Sequence, residues 1–183
     1  MCLAKIRAFL LSPKKAFEKE RKTGLAEAFK YNAIILIPIA ILGSIVSAYF
    51  MPAPLGLSNP VFVITLIVVS YVIGIVFSLI WPLWLHTWAY IFGAKEGLDQ
   101  TFKAGFYGNT PYYLLGWIPF VSIIFLIWAA VLQGIGLMAL HKMPKQKAAL
   151  AVIIAIAIPV ALILALIGIF FLAFLGFPVT GPL

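Results

Sequence analysis

The length of the apolar runs restricts the fold of this chain more than any other feature. Residues 61–93 and 148–176 contain no Asp, Glu, Lys or Arg. A helix of about 20 residues crosses the roughly 30 Å hydrocarbon core of a bilayer, and both runs exceed that length. Strands of membrane barrels alternate between apolar and polar residues, whereas these runs are continuously apolar. Since 64% of all residues are hydrophobic and 10% are charged, the sequence predicts an all-α integral membrane protein.

The basic residues indicate how the chain passes through the membrane. Eight of the thirteen lie in the first thirty residues, and the others lie near two later loops: Lys95, Lys103, Lys142, Lys145 and Lys147. Basic loops mark the cytoplasmic side, so these regions should share it with the N-terminus, and the chain must cross twice between the two loops. This predicts a five-helix transmembrane bundle and an external C-terminal tail. The spans are expected at about 31–51, 61–93, 104–118, 119–141 and 148–176, and the tail at 177–183.

The third predicted span is the least typical of a membrane helix. Its sequence, AGFYGNTPYYLLGW, is aromatic and half polar. Such a segment is tolerated at membrane depth where other parts of the protein cover it. It therefore either crosses fully, or is re-entrant or covered by the other helices.

The first thirty residues form a basic segment that precedes the first span. Ile6, Phe9 and Phe17 recur at helical spacing, and Ser12 followed by Pro13 is typical of a helix start. We therefore expect an N-terminal amphipathic helix, or two, at the membrane interface. Its charges either attract anionic lipid headgroups or serve only to orient the chain. The lysines assigned to headgroup contact are Lys14, Lys15, Lys142, Lys145 and Lys147.

A few polar side chains lie inside the predicted spans. Counted from the cytoplasmic ends at about 1.5 Å per residue, His86 and Asn109 lie roughly 10 Å deep and Gln133 roughly 12 Å deep. A polar group that faces lipid alone costs several kcal/mol, and an interhelical hydrogen bond recovers about 0.6 to 2 kcal/mol. The sequence therefore predicts a polar layer of His86, Asn109 and Gln133, with Tyr107 near it. The alternative is that each side chain bonds locally or extends to the interface separately.

The sequence offers little for catalysis or ion transport. No carboxylate lies within an apolar run, although ion-coupled transporters generally use intramembrane acids. His86 and His141 are the only histidines, and they lack the spacing of a metal site. Several serines could be paired with His86 as nucleophile and base, but no spacing selects one of them. We therefore expect no enzymatic activity, no metal, no cofactor and no nucleic-acid partner.

Two short motifs carry a family resemblance. The first, IGLMALHKMPKQKAALAVI, has Gly-Leu, then His, a short loop, and Lys-Ala at the start of the last span, and the second is YGNTP. Through them, residues 11–170 resemble the YIP family of Ypt/Rab-interacting membrane proteins. The matching positions are Gly136, Leu137, His141, Lys147 and Ala148 in the first motif, and Tyr107 and Pro111 in the second.

The resemblance implies five spans and a cytoplasmic N-terminus, as the charges do. Eukaryotic members usually carry a long soluble N-terminal region and a Gly directly before the motif Tyr, whereas this chain has a short basic segment and Phe106. It is therefore similar to the short prokaryotic branch, and this similarity implies that the protein lies in the plasma membrane of a prokaryote. Rab binding is implied for the eukaryotic branch and is not carried over to this chain.

Two classes of function fit these observations. The first is a non-enzymatic membrane adaptor or membrane-organising protein, whose basic face offers a surface to anionic headgroups or to a cytoplasmic or membrane protein partner. The alternative is a small transporter or channel with a polar path through the third span. The lack of charged residues in the spans favours the adaptor. The sequence predicts no particular oligomeric state.

Overall fold

The structure, a computed structural model, describes residues 2–52 and 56–175. Over these ranges all regular secondary structure is helical, which confirms the all-α prediction. The helices are α1 (Cys2–Leu11), α2 (Pro13–Glu20), α3 (Leu25–Ile35), α4 (Ile37–Tyr49), α5 (Pro60–Ile91), α6 (Leu98–Gly108), α7 (Thr110–Leu115), α8 (Ser122–His141) and α9 (Lys145–Phe174).

Four stretches of helix are long and apolar enough to cross a bilayer. They are Leu25–Tyr49, Pro60–Ile91, Ser122–His141 and Lys145–Phe174. The first comprises α3 and α4, which meet at Leu36 because Pro38, in the first turn of α4, has no backbone N–H to donate. These four helices fit a multi-pass membrane protein.

The third predicted span differs from the others. Instead of one helix over 104–118, the chain forms α6 and α7, which are interrupted at Asn109 and are each too short to cross a bilayer. Pro111, in the first turn of α7, cannot continue the hydrogen bonds of α6. All residues from Lys103 to Gly108 are buried, since α3, α5 and α8 pack around α6. The segment is thus covered by protein, and the predicted count of five spanning helices is not confirmed.

Helices α1 and α2 form a hairpin that closes one end of the bundle. We call residues 2–24 the N-terminal cap and this end the capped end. Phe9 and Phe17, expected at the membrane interface, are 1% and 0% exposed, because they pack on the bundle. Leu3 and Leu11 on the outer side of the cap are exposed. The predicted spacing of apolar residues is therefore present, but the face with Phe9 and Phe17 covers protein and not lipid.

Helix α9 packs on the bundle through its first half only. Its buried residues end at Ala155, whereas every residue from 161 to 175 is exposed. The predicted external tail, residues 177–183, lies outside the described residues.

Candidate functional site

The N-terminal cap meets α6 at a cluster of polar groups centred on Glu20. The Oε2 atom of Glu20 accepts hydrogen bonds from Lys5 Nζ at 2.9 Å and from Thr23 Oγ1 at 2.7 Å. It also accepts one from the hydroxyl of Tyr107 at 3.0 Å. A second carboxylate, that of Glu27, lies 2.9 Å from Lys5 Nζ. The motif residue Tyr107 therefore binds the cap directly to the centre of the bundle.

Aromatic rings surround this cluster. The ring of Phe9 stacks on that of Tyr107 with centroids 4.6 Å apart, and Phe17 packs edge-on against Phe9 at 4.9 Å. Tyr31 of α3 lies 5.1 Å from the Tyr107 ring, and its hydroxyl is 3.0 Å from Thr110 Oγ1. Offset and edge-on aromatic pairs contribute about 0.5–1.5 kcal/mol each beyond burial. The rings thus exclude solvent from the Glu20 carboxylate.

Both charged groups at the centre of this cluster stay ionised near neutral pH. Burial acts to raise the pKa of the Glu20 carboxyl, but its hydrogen bonds and the charge of Lys5 outweigh burial and hold that pKa below the ordinary value. Burial acts to lower the pKa of the Lys5 amine, but hydrogen bonds to Glu20 and Glu27 raise it above the ordinary value. The cap is therefore held by a charged pair, which makes its hydrogen bonds stronger than neutral ones.

A second set of contacts fixes the end of α2. The backbone carbonyl of Arg21 accepts a hydrogen bond from Lys103 Nζ of α6 at 2.9 Å. The Arg21 guanidinium lies 2.7 Å from Glu96 Oε1, in the loop between α5 and α6, and Lys142 Nζ lies 3.7 Å from the same atom. Glu96 thereby joins the cap to the loops that follow α5 and α8.

Two histidines and a threonine form a hydrogen-bonded chain next to Glu96. Thr101 Oγ1 lies 2.7 Å from His86 Nδ1 and 2.9 Å from His141 Nε2. The backbone N–H of Glu96 donates to His141 Nδ1 at 3.3 Å, so that nitrogen carries no proton. The neutral ring of His141 then donates from Nε2 to Thr101, and Thr101 donates to His86 Nδ1. The backbone of one loop thus sets the direction of three hydrogen bonds.

Gln133 and Asn109, two members of the predicted polar layer, are in direct contact. Gln133 Nε2 donates to Asn109 Oδ1 at 2.8 Å, and Gln133 Oε1 accepts from Trp81 Nε1 at 2.8 Å. The amide of Asn109 also donates to the hydroxyl of Tyr113 at 3.4 Å. A Cβ on Gly108 would lie 2.6 Å from Cγ of Gln133, so only glycine allows this approach of α6 and α8.

The other two members of the predicted layer lie elsewhere. His86 bonds to Thr101 and not to Asn109 or Gln133, because it follows Trp81 by five residues and so lies about 7.5 Å nearer the capped end of α5. Tyr107 belongs to the Glu20 cluster. The four side chains therefore divide among three separate hydrogen-bonded groups.

Most of the remaining family-motif residues are buried, either at the capped end or against α6. Leu137 is 0% exposed, and Gly136 faces α6 so closely that a Cβ there would lie 2.9 Å from Cβ of Ala104. Ala148 is buried at the start of α9, whereas its neighbour Lys147 is exposed.

The lysines assigned to headgroups are all exposed on the structure, around the cap and the loop between α8 and α9. Among the described residues, one of them takes part in an ion pair, Lys142 with Glu96. The five positions are Lys14, Lys15, Lys142, Lys145 and Lys147.

Two central residues of the site were not selected from the sequence. Glu20 follows Phe17 by three positions and so shares its helix face, which is a signal that could have identified it. Thr101 has no comparable signal, because its partners are 15 and 40 residues away along the chain. In residues 2–52 and 56–175, no group of three or more His, Cys, Asp or Glu side chains could hold a metal ion.

We expect the substitution Thr101→Val to destabilise the protein by about 1–3 kcal/mol, because it keeps the shape of the side chain and leaves Nε2 of buried His141 and Nδ1 of half-buried His86 unpaired. Denaturant unfolding in detergent micelles would measure this loss. Thr87→Val is the matched control, since Thr87 is exposed on α5 and bonds only to the carbonyl of Leu83. Equal effects of the two substitutions would contradict a structural role for the His86–Thr101–His141 chain.

The chain matches the model of a known protein family. The family described as the Yip1 domain matches residues 7–169, which include the cap from Arg7 onward, the third segment and both motifs. No curated protein and no solved structure matches the chain.

Proposed function

Because the chain belongs to the Yip1 domain family, a family of multi-pass membrane proteins, we propose that it is a non-enzymatic membrane adaptor or membrane-organising protein of the short prokaryotic branch. Its capped end would face the cytoplasm, in the plasma membrane, and would offer a basic surface to anionic lipid headgroups or to a protein partner.

The observation that carries this proposal is the way the N-terminal cap is attached. Of the two carboxylates of α2, Glu20 is turned inward and neutralised by Lys5, whereas Glu18 is exposed together with Lys14 and Lys15. Three further exposed lysines follow α8 at the same end: Lys142, Lys145 and Lys147. A cap fixed by buried contacts holds these charges in one arrangement, which is what a recognition surface requires.

The charge distribution supports the proposed orientation. Of the thirteen basic residues, Lys30 lies in α3, and the other twelve lie in the cap, between the end of α5 and the end of α6, or after α8; these three regions meet at the capped end. Residues 50–52, 56–59 and 116–121 at the opposite end carry no charge. Basic residues of short loops stay in the cytoplasm, so the capped end would lie there and the C-terminal tail outside.

The transporter alternative has less support from the geometry. The polar side chains at membrane depth bond to one another in separate groups: Trp81, Gln133 and Asn109 form one, and His86, Thr101 and His141 form another. A permeation path would need such groups to face a common space.

Vesicle binding tests the proposal. Protein in nanodiscs of neutral phosphatidylcholine should bind added vesicles that contain phosphatidylglycerol and should not bind purely neutral vesicles, as measured by flotation. Since each basic residue contributes about 1 kcal/mol near an anionic surface, replacing all five lysines with Gln should weaken binding by at least about a hundredfold. Replacing them with Arg, which keeps the charge, should preserve binding.

Two results would count against the adaptor. One is equal binding to neutral and anionic vesicles, because the basic surface would then not recognise anionic headgroups. The other is flux of a small solute through proteoliposomes that exceeds the leak of protein-free liposomes, which would support the transporter instead.

A further inference from the structure

A crevice of about 710 Å³ lies between α4 and α5, in the half of the bundle away from the N-terminal cap. It exists because the third segment is short. Helix α7 ends at Leu115, while α4 continues to Tyr49 and α5 begins at Pro60, so the facing parts of α4 and α5 lose their common neighbour. The end of α7 and the following turn, with Trp117, form the floor of the crevice.

The crevice has the length of one membrane leaflet. It extends along α4 from Leu36 to Ser47. The eleven steps from Leu36 to Ser47 correspond to about 16 Å of helix, and one leaflet contributes about half of a 30 Å hydrocarbon core. A chain that enters at Ser47 would therefore reach the bilayer centre near Leu36.

The walls combine apolar surface with hydroxyl groups. Gly43 of α4 and Gly74 of α5 both line the crevice. The absence of a side chain at Gly43 widens it, whereas Gly74 lets α5 approach Leu36, since a Cβ there would lie 3.0 Å from Cδ1 of Leu36. The hydroxyls of Ser44 and Ser70 bond to each other at 3.0 Å. Ser47 also lines the crevice, and its exposed hydroxyl has no hydrogen-bond partner in residues 2–52 and 56–175. An uncompensated hydroxyl next to hydrocarbon is costly, so this position suits a ligand with an acceptor group.

We propose that this crevice binds one acyl chain of a glycerophospholipid from the leaflet opposite the N-terminal cap. The chain lies along Gly43 and Gly74, and its ester carbonyl accepts a hydrogen bond from the Ser47 hydroxyl near the membrane surface, two residues before α4 ends. This site is independent of the basic surface at the capped end.

A second groove, between α8 and α9, provides an internal comparison. Its volume is about 460 Å³, and its walls are apolar, as at Ile127, Gly134 and Ile153, except for Lys145 at the start of α9. It offers no hydroxyl to fix an ester group. Lipid should contact this groove only as it contacts any exposed helix.

Photocrosslinking in reconstituted vesicles tests the proposal. The probe is a phosphatidylcholine with a diazirine in its acyl chain, and adducts are located by peptide mass spectrometry. We expect adducts on α4 and α7 to exceed those on residues 161–175 of α9, which are exposed on all sides, by at least about tenfold. Ser47→Ala should reduce the adducts on α4 about fivefold, as loss of one hydrogen bond would.

Filling the crevice provides the decisive variant. A Cβ on Gly43 would lie 3.8 Å from Ile39 and Trp117, an ordinary contact, so Gly43→Leu can extend into the space without moving the backbone. It should abolish adducts on α7 and leave those on α9 unchanged. Gly134→Leu is the control, because its Cβ would lie 4.0 Å from Val152 in the other groove, and it should not change adducts on α4 or α7.

Three results would overturn the proposal. They are uniform labelling of all exposed helices, unchanged labelling of α7 in folded Gly43→Leu, and an equal reduction in Gly134→Leu. If Gly43→Leu does not fold, Ser47→Phe takes its place, since Ser47 is exposed at the entrance. The same outcomes then apply.

Discussion

The substitution Glu20→Ala should lower the free energy of unfolding by about 2–4 kcal/mol. It removes the acceptor of three hydrogen bonds and leaves the hydroxyl of Tyr107 and the amine of Lys5 without their shared partner. Removing one partner of a buried ion pair usually costs about 3–5 kcal/mol, and the remaining contact of Lys5 with Glu27 moderates that loss. Thermal and denaturant unfolding in micelles would measure it.

Glu18→Ala is the matched control for that substitution. Glu18 lies on the same helix, is exposed, and makes no ion pair or side-chain hydrogen bond in the described part of the chain. Its replacement should change stability by no more than about 0.5 kcal/mol. Trypsin cleavage within the cap should accelerate in Glu20→Ala and not in Glu18→Ala. If both variants resist trypsin like the wild type, the Glu20 cluster does not hold the cap.

A side chain at position 136 should push α8 away from both α6 and α2. A Cβ there would lie 2.9 Å from Cβ and 3.1 Å from Cα of Ala104, and 3.0 Å from Cε1 of Phe17. The backbone of α6 at Ala104 cannot move away easily, because every residue from Lys103 to Gly108 is buried. Overpacking costs about 1–3 kcal/mol for one added methyl group, and Gly136→Leu should prevent folding.

Gly134→Ala separates this steric effect from helix propensity. Both glycines lie on α8, and alanine favours a helix over glycine by about 1 kcal/mol. A Cβ on Gly134 would lie 4.0 Å from Cγ2 of Val152, which is an ordinary contact, so the substitution should be neutral or stabilising. Gly136→Ala should destabilise in spite of the same gain. Unfolding midpoints of the two variants in one detergent would compare them directly, and a stabilising Gly136→Ala would show that α6 and α8 are not in close contact.

The membrane class and the four apolar spans followed from the sequence, because each depends on the residues of one segment. The run around Val68 and the run around Leu164 are apolar whatever their neighbours are, so hydropathy identifies both. The motif also selected Tyr107, Gly136 and His141, all of which are buried at contacts between elements.

The structure of the third segment, residues 104–118, could not be predicted from its own residues. Its polarity indicated either a full span or a covered segment, and the choice depended on what packs around Phe106 and Tyr107. The interruption of the helix at Asn109, two residues before Pro111, could be anticipated, since proline lacks a backbone donor. The enclosure by α3, α5 and α8 could not, because it depends on how those helices are arranged.

The sequence by itself determined the class of protein, the places of the apolar helices and the basic character of the loops at one end. Transfer of a side chain into hydrocarbon is a property of that side chain, so a single segment is sufficient to predict it. Only the tertiary structure decided which polar groups meet: Tyr107 with Glu20, 87 positions away, and His141 with Thr101, 40 positions away. A hydrogen bond needs its two atoms within about 3 Å, and that distance is set by the packing of whole helices.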